Sequence, residues 1–575
     1  MNKRWIIAPP EPALSRTLAS KLQIPVVIAQ VLVNRGIRDP DSAQRFLNPQ
    51  LRDLRDPFEL TTMAAAVERV HAAIASRERI VIYGDYDVDG VTSSALLTRV
   101  LQAASASVVN FLPRRVDEGY GLSRDGVARC LKEHHPQLLI AVDCGTSSVF
   151  EISDLKSRRI DVIVLDHHEP PAELPDCVAL VNPKCVGRAA RLSNAGNRDR
   201  RAACPTSAPL ASVGVSFKLA HALLKLDRQL SDVIDLRDHL DLVAVGTVAD
   251  IVPLVGENRI LVKAGLERLP LTQKVGLRAL MDLAGVPDDR VTPYHIGFRI
   301  GPRLNAAGRL ADAMAALELL LTDDGARAAK LAQLLDDHNA ERQRIEERIV
   351  AEAMEMARTF GDDRVLVLAD DTWHVGVVGI VASRVVQEFY RPTVVIGADG
   401  KGSCRSVDGF SIVEALRHCE PLLEKFGGHE MAAGLSVKTG DIAKLRRALN
   451  EYASRVMTAE DLSPRLLVDA EVRLDELDDE FFRSLDQLEP CGQDNPSPVF
   501  AVSGVSVRGS PRVVGKSHLK FRVSEGESVV EAVWWGMGGE QLPQSPLDIA
   551  FAPELNEYGG VETVQLKVKD VRSAL

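Results

Sequence analysis

The sequence predicts an α/β protein: a parallel-sheet domain, a long helix, a second α/β domain and a C-terminal β-barrel. Three observations predict it. From about residue 79, short β-branched runs alternate with helical stretches, which means βαβ units and a mostly parallel sheet. Residues 330–359, "KLAQLLDDHNAERQRIEERIVAEAMEMART", keep a helical pattern without Gly or Pro, long enough for a strut between domains. From about residue 460, short alternating strands with Gly-rich turns take over, the pattern of a small barrel for which an OB-fold is one candidate. At 575 residues the chain is too long for a single core.

In chain order, residues 1–75 read as a helical segment, because "SRTLASKLQIP", "PVVIAQVLVNRGI" and "MAAAVERVHAAIAS" space their apolar residues at helical intervals. Residues 76–285 form the first α/β domain. Its strands "RIVIY", "SVVNFL", "QLLIAV", "IDVIVL" and "CVALV" are apolar throughout, which fits burial on both faces. Residues 186–208 are rich in Arg, Ala, Asn and Gly without a period, so they read as a solvated insertion rather than a nucleic-acid contact. Residues 286–360 are a connector holding the long helix. Residues 361–458 are the second α/β domain, with "RVLVLAD", "GVVGIVASRVVQEF" and "PTVVIGA". Residues 459–575 are the barrel.

The apolar and charged fractions are those of an ordinary globular protein, and no run is long and apolar enough for a membrane span. The start, "MNKRWIIAPPEPALSR", lacks the apolar core of a signal peptide. The eight cysteines show neither CxxC nor zinc spacing, so reduced thiols and a cytoplasmic location are expected. The formal charge of −11 argues against broad, non-specific nucleic-acid binding but leaves room for a local basic groove.

The chemistry concentrates at strand ends. "YGDYDVDG" places Asp85, Asp87 and Asp89 at alternate positions straight after an apolar strand. The opening resembles a calcium loop, yet its twelfth position is Leu96 and a strand precedes it, so calcium sensing is rejected. The next strands end in Asp143 and in Asp166-His167-His168. If these strands are neighbours, their carboxyl ends share one crevice, the usual ligand edge of an open parallel sheet. A helix start at Thr92, Ser93 and Ser94 would add N–H groups for an anion. Acids and imidazoles gathered there would hold divalent metal, polarise a phosphoryl oxygen and acidify a water. Neither a Walker A motif nor a Ser-His-Asp arrangement is apparent, which favours metal-assisted phosphoester hydrolysis.

"DYDVDG", "VDCG", "DHH" and "VADIVPL" together resemble the metal-site motifs of the DHH phosphoesterases. "GPRLNAAGRL" (301–310), "GSCRS" (402–406), "FGGHEMAAG" (426–434) and "LEPCGQDNPSPVF" (488–500) resemble its RecJ branch. The resemblance runs in order from about residue 50 to the end. It implies a DHH domain, a DHHA1 domain facing its metal site across a cleft, and an OB-like nucleic-acid-binding domain. It implies two ions, Mn²⁺ or Mg²⁺, held by Asp87, Asp89, Asp143 (bridging), His167 and Asp250. His168 lies nearer the substrate phosphate, and Asp85 supports the loop, ligation being its alternative. Arg303, Asn305 and Arg309, in a Gly-flanked loop, would bind substrate. Ser403 and Arg405 would take the 5′-terminal phosphate, and His429 would lie near the scissile one. Ser212 stands where Gly is common in this pattern, and Cys491 where an aromatic is.

The implied activity is degradation of single-stranded DNA from the 5′ end to mononucleotides, in repair and recombination. The implied setting is a monomer beside single-strand-binding protein and a RecQ-type helicase, away from membranes. A narrow cleft would exclude duplex, and the barrel would grip the strand by a basic groove and stacking, with Trp534 and Trp535 as stackers of which at least one should be core. Two other readings compete. One is a DHH phosphodiesterase for very short oligonucleotides or cyclic dinucleotides, which would not need the strut and barrel. The other is a non-enzymatic scaffold on a decayed site, which the full acid set argues against.

Overall fold

In the computed structural model, residues 3–113, 121–185, 210–310, 312–515, 517–558 and 561–574 are described. The insertion at 186–208 therefore lies outside the described residues. The chain divides into two compact units, each discontinuous in sequence. An α/β unit comprises Glu11–Asn339 and Asp478–Ser497; a barrel unit comprises Met1–Pro10, Ala340–Leu477 and Pro498–Leu575.

The α/β unit is built on five parallel strands in the spatial order Ser107–Phe111, Arg79–Gly84, Leu138–Val142, Asp161–Leu165, Ala179–Val181. Successive side chains point to opposite faces, and both faces are covered. Ile80, Ile82, Leu138, Ile140 and Val142 join the core beneath helices Met63–Ala75, Val88–Ala103, Ser212–Leu226 and Leu240–Ala249. Val81, Tyr83, Leu139 and Ala141 join the core on the other face, with helices Arg124–His134 and Val149–Ser157. The strand Arg79–Gly84 lies between the strand that follows it and the one after that. The topological switch point of the sheet is therefore at its carboxyl end, beside that of Leu138–Val142.

Residues 478–497 close the α/β unit through Arg259. This side chain is 2% exposed and has no carboxylate partner among the described residues. Its Nε donates to the Phe46 carbonyl at 2.8 Å. One terminal nitrogen donates to the carbonyls of Leu488 (3.0 Å) and Pro490 (3.1 Å), the other to those of Gln487 and Glu489 (both 2.9 Å). All five N–H donors of the fork are thus used. The same segment supports the chain after Asp250, since the Leu254 amide donates to the Gln493 carbonyl at 2.8 Å.

The barrel unit holds a five-stranded mixed sheet and a closed barrel. The sheet order is Leu423–Gly428, Ala432–Val437, Lys401–Arg405, Thr393–Ile396, Leu366–Ala369. The barrel strands Phe500–Val514, His518–Glu525, Ser528–Trp534, Val561–Ser573 and Leu547–Tyr558 pair in that order, and the last returns to the first. The helix Gly325–Arg358 runs 34 residues, about 50 Å at 1.5 Å per residue. Leu331 and Leu335 in its first part belong to the α/β core, and Ile349, Ala353 and Ala357 in its second part to a core of the barrel unit.

Four expectations need correction. The N-terminal segment is not wholly helical: Arg4–Ile7 is a strand that pairs in parallel with Arg465–Val468, and four residues of an eventual strand carry no period to read. The β-rich region contains a helix, Asp479–Asp486. The helix after the acidic loop begins at Val88, not near Thr92, because Asp87 caps it; Thr92, Ser93 and Ser94 are buried within it. Neither Trp534 nor Trp535 is core: the first is half-buried, and the second is exposed just past its strand, 4.4 Å from the His518 ring.

Candidate metal centre

Register brings the acidic strand ends together. Gly84 pairs with Val142, and Val142 with Leu165. Asp85, Asp143 and Asp166 each follow one of these residues, so the three lie in a row along the carboxyl edge of adjacent strands.

The loop Asp85–Asp87 turns directly into its helix. Asp87 is the N-cap, accepting from the Gly90 amide at 3.1 Å, and Asp89 sits in the first turn, where the helix dipole favours negative charge. Gly90 is required by close approach: a Cβ there would lie 2.4 Å from the Asp85 carbonyl oxygen and 2.7 Å from its backbone nitrogen. Both oxygens of Asp89 accept backbone N–H groups from the start of another helix, Oδ2 from Ser212 (2.7 Å) and Oδ1 from Val213 (2.8 Å). Asp143 has φ +61°, a left-handed conformation that Asp tolerates better than most residues. Its Oδ1 accepts from the Ser212 hydroxyl at 2.9 Å. Asp250 ends helix Leu240–Ala249. His167 Nε2 lies 3.4 Å from Asp143 Oδ1 and 3.3 Å from Asp250 Oδ2.

Three overlapping groups offer ligand atoms within 4.8 Å of one another: Asp85, Asp87 and Asp143; Asp89, His167 and Asp250; Asp143, His167 and His168. All six residues expected to be catalytic are thus brought together. Asp85, expected to support its loop, also offers an oxygen.

The electrostatics call for a cation. Asp89 is 1% and Asp143 2% exposed. No lysine or arginine forms an ion pair with any of these acids among the described residues. Burial and the charge of Asp87 push Asp85 and Asp89 up to about 7. Burial, with Asp89 and Asp87, pushes Asp250 up to about 9. Asp143 is raised well above the usual range by burial and by the same neighbours. Burial and the neighbouring His168 charge hold His167 down to about 4, so it is the neutral imidazole a metal needs. Carboxylate oxygens that no lysine or arginine pairs among the described residues, beside a neutral imidazole, suit Mn²⁺ or Mg²⁺.

His168 differs. Its Nδ1 lies 2.7 Å from Asp166 Oδ1, while 54% of its side chain is exposed. Burial lowers its pKa, but the hydrogen bond to Asp166 and that group's charge outweigh burial and raise it to about 9. Asp166 also accepts the amides of His167 (2.7 Å) and Thr146 (3.0 Å), and Asn182 ties Thr146 Oγ1 to the His168 carbonyl. The sequence counted Asp166 among the strand-end acids that would hold metal, and the resemblance gave it no role; here it is taken up by His168 and backbone amides. Thr146 and Asn182 carried no signal at all, since only the fold brings them here, and Ser212 was marked only as a departure from Gly.

The expected substrate residues divide. Arg303, Asn305 and Arg309 lie in helix Gly301–Leu310, not in a loop. Its glycines serve close packing, since a Cβ on Gly308 would sit 2.6 Å from the Tyr86 carbonyl oxygen. Asn305 Oδ1 accepts from the Val88 amide at 3.2 Å, so the helix braces the acidic loop. Arg303 is engaged by Asp336 at 2.8 Å and by the Arg299 carbonyl at 2.7 Å. Arg309 is half-buried on the same helix. Ser403, Arg405 and His429 belong to the barrel unit. Arg405 donates to Ser403 Oγ at 3.2 Å and to the Cys404 carbonyl at 2.8 Å, with no acidic partner among the described residues. A Cβ on Gly379, in the first turn of helix Val378–Phe389, would lie 3.1 Å from Ser403 Oγ. Arg405 pairs with Ala432, whose carbonyl accepts the His429 amide at 2.8 Å, so that turn lies at the Arg405 end of the sheet.

Comparison with known proteins agrees along the chain. Residues 79–247 match the DHH family N-terminal domain, 362–455 the DHHA1 domain, and 468–570 the RecJ OB domain. The chain is 38% identical to the single-stranded-DNA-specific exonuclease RecJ of Bacillus subtilis, over 99% of this chain and 70% of that protein. The crystal structure of Thermus thermophilus RecJ in complex with Mn²⁺ superposes with a TM-score of 0.84 at 32% identity, covering 100% of this chain and 80% of the other. The Mg²⁺ complex of the same protein gives 0.78 at 31% identity, covering 100% and 79%.

Proposed function

Because the chain belongs to the RecJ family of DHH phosphoesterases, we infer its reaction and the part each residue takes in it from that membership and from the site's geometry. The chain is a metal-dependent exonuclease specific for single-stranded DNA, using Mn²⁺ or Mg²⁺. The observation that carries the mechanism is the cluster of acids, Asp89 and Asp143 buried among them, that no lysine or arginine pairs among the described residues.

Asp87, Asp89, Asp143, His167 and Asp250 would hold two ions, with Asp85 able to join them. When bound, the ions polarise a phosphoryl oxygen and make an attacking water acidic. The remaining steps fall to the chain. Asp89 and Asp143 are fixed by the start of helix Ser212–Leu226, so the acids do not reorganise during reaction. His168, protonated at neutral pH, spends Nδ1–H on Asp166 and leaves Nε2–H for a phosphate oxygen or leaving group. In the barrel unit, Arg405 and Ser403 beside the start of helix Val378–Phe389 suit a terminal phosphate. That supports degradation from the 5′ end, to mononucleotides. Trp535, exposed beside His518 and with Lys567 Nζ 5.9 Å from its ring, suits a stacked base. His429, Asn305, Arg303 and Arg309 complete the proposed substrate set. Arg303 would have to share its charge with Asp336.

Among the described residues Cys130, Cys144, Cys404 and Cys419 are buried free thiols, which supports a reducing, cytoplasmic setting. No single helix among the described residues is long and apolar enough to cross a membrane. A monomer working in repair and recombination beside single-strand-binding protein and a RecQ-type helicase completes the proposal. Single strands labelled at either end, beside a blunt duplex, test the reading with Mn²⁺ and the Asp143→Ala variant. Mononucleotides released from the 5′ end of the single strand, and lost in the variant, are expected. Cleavage of dinucleotides but not long strands would overturn it.

A further inference from the structure

Ser212 does more than begin a helix. It is fully buried, and its two hydrogen bonds divide between two acids of the metal centre. Its amide, with that of Val213, holds Asp89, and its hydroxyl donates to Asp143 Oδ1 at 2.9 Å. Among the described residues no other hydrogen bond reaches the Asp143 carboxylate; His167 Nε2 stands 3.4 Å from the same oxygen. We propose that Ser212 is a positioning residue for the metal ions, its hydroxyl holding Asp143 in the orientation that ligates them. This rests on the acid cluster being the metal site.

The physical case is one of lone pairs and repulsion. Asp143 lies within 4.8 Å of Asp85 and Asp87 and close to Asp250 through His167. A free carboxylate in that company turns away from its neighbours. One hydrogen bond to Oδ1 fixes the group, yet leaves the second lone pair of Oδ1 and all of Oδ2 for cations. The amide contacts to Asp89 need only backbone. The hydroxyl is therefore the part of Ser212 that a substitution removes cleanly. Loss of such an outer partner typically weakens metal binding 10- to 100-fold.

The test compares full-length wild type with Ser212→Ala and Ser212→Gly. Each is stripped of metal and titrated calorimetrically with Mn²⁺, and its metal-free melting temperature and its KM for single-stranded DNA are measured. Both variants should bind Mn²⁺ about tenfold or more weakly, with the KM unchanged and much of kcat recovered at saturating Mn²⁺. Alanine fills nearly the same space as serine. If Ser212→Ala binds Mn²⁺ as tightly as wild type, whatever Ser212→Gly does, the residue contributes packing only and the proposal is overturned. If wild type itself binds no Mn²⁺, the metal-site reading fails first, a result distinct from the variants matching a wild type that binds.

Discussion

Replacing Arg259 with Met should unfasten residues 478–497 from the α/β unit. The side chain is 2% exposed, and its five donors meet five carbonyls at 2.8–3.1 Å. Methionine keeps the apolar stem against the Phe46 ring, over which the guanidinium carbon sits at 4.0 Å. It leaves the Phe46, Gln487 and Glu489 carbonyls without this donor, while those of Leu488 and Pro490 keep Asn495 Nδ2 at 3.0 and 2.8 Å. At about 1–3 kcal/mol for each of the three buried groups left unpaired, a simple sum reaches about 3–9 kcal/mol. Contacts sharing one side chain are not additive, and the segment can relax toward water, so about 4 kcal/mol is expected. Lysine has three donors and no planar fork, and should recover less than half. Urea unfolding followed by circular dichroism provides the assay, fitted for two transitions because the chain has two units. The transition of the α/β unit should move to lower urea. Mn²⁺ affinity should fall with it, because the Leu254 amide is bound to Gln493 four residues beyond Asp250. A shift worth less than about 1 kcal/mol, or a lysine variant equal to wild type, would refute the reasoning.

Gly90→Ala would drive a methyl about 1 Å inside van der Waals contact with Asp85 backbone, which cannot swing aside. It should cost about 1–3 kcal/mol of stability and about 100-fold in activity through displaced carboxylates; melting and single-turnover hydrolysis check both. In EDTA the acids whose pKa is raised, Asp85 and Asp89 to about 7 and Asp250 to about 9, bind more protons folded than unfolded. Their contribution is full below the ordinary carboxylate range and is lost as pH rises toward 9, so the melting temperature should fall across that window and Mn²⁺ should restore more at pH 8 than at pH 6. A flat profile, or one unchanged by Asp89→Asn, would sink that account. Asp166→Asn removes the group that raises His168 to about 9. The alkaline limb of kcat/KM should move to lower pH, and an unmoved limb would exclude His168 as the protonated group.

The sequence made the sheet legible because its five strands are buried on both faces and therefore apolar throughout, from Arg79–Gly84 to Ala179–Val181. The acids were legible because each stands at the end of such a run. Asp250 was not, since a helix-ending acid has no local mark, and only the motif resemblance singled it out. Ser212 stood out as a departure from an expected Gly, but its partners, Asp89 and Asp143, are set by tertiary contact. The glycines of "GPRLNAAGRL" suggested a loop because packing against Tyr86 leaves no trace in composition. The strand Arg4–Ile7 was read into a helical region for a similar reason: its partner lies at Arg465–Val468.

The interleaving of the two units has a consequence for how the chain is made. Pro490 reaches the ribosome exit 231 residues after Arg259, roughly 12–46 s later at 5–20 residues per second. Throughout that interval the guanidinium has none of its four late carbonyls, and the loop after Asp250 lacks its brace. The strand Arg4–Ile7 waits longer still for Arg465–Val468. Neither unit can finish folding while most of the chain is still being translated, so the nascent protein presents an unclosed polar seam to chaperones and proteases. A transcript cut short after the DHH segment would yield a sheet with its acids in place and no means of sealing the unit around them.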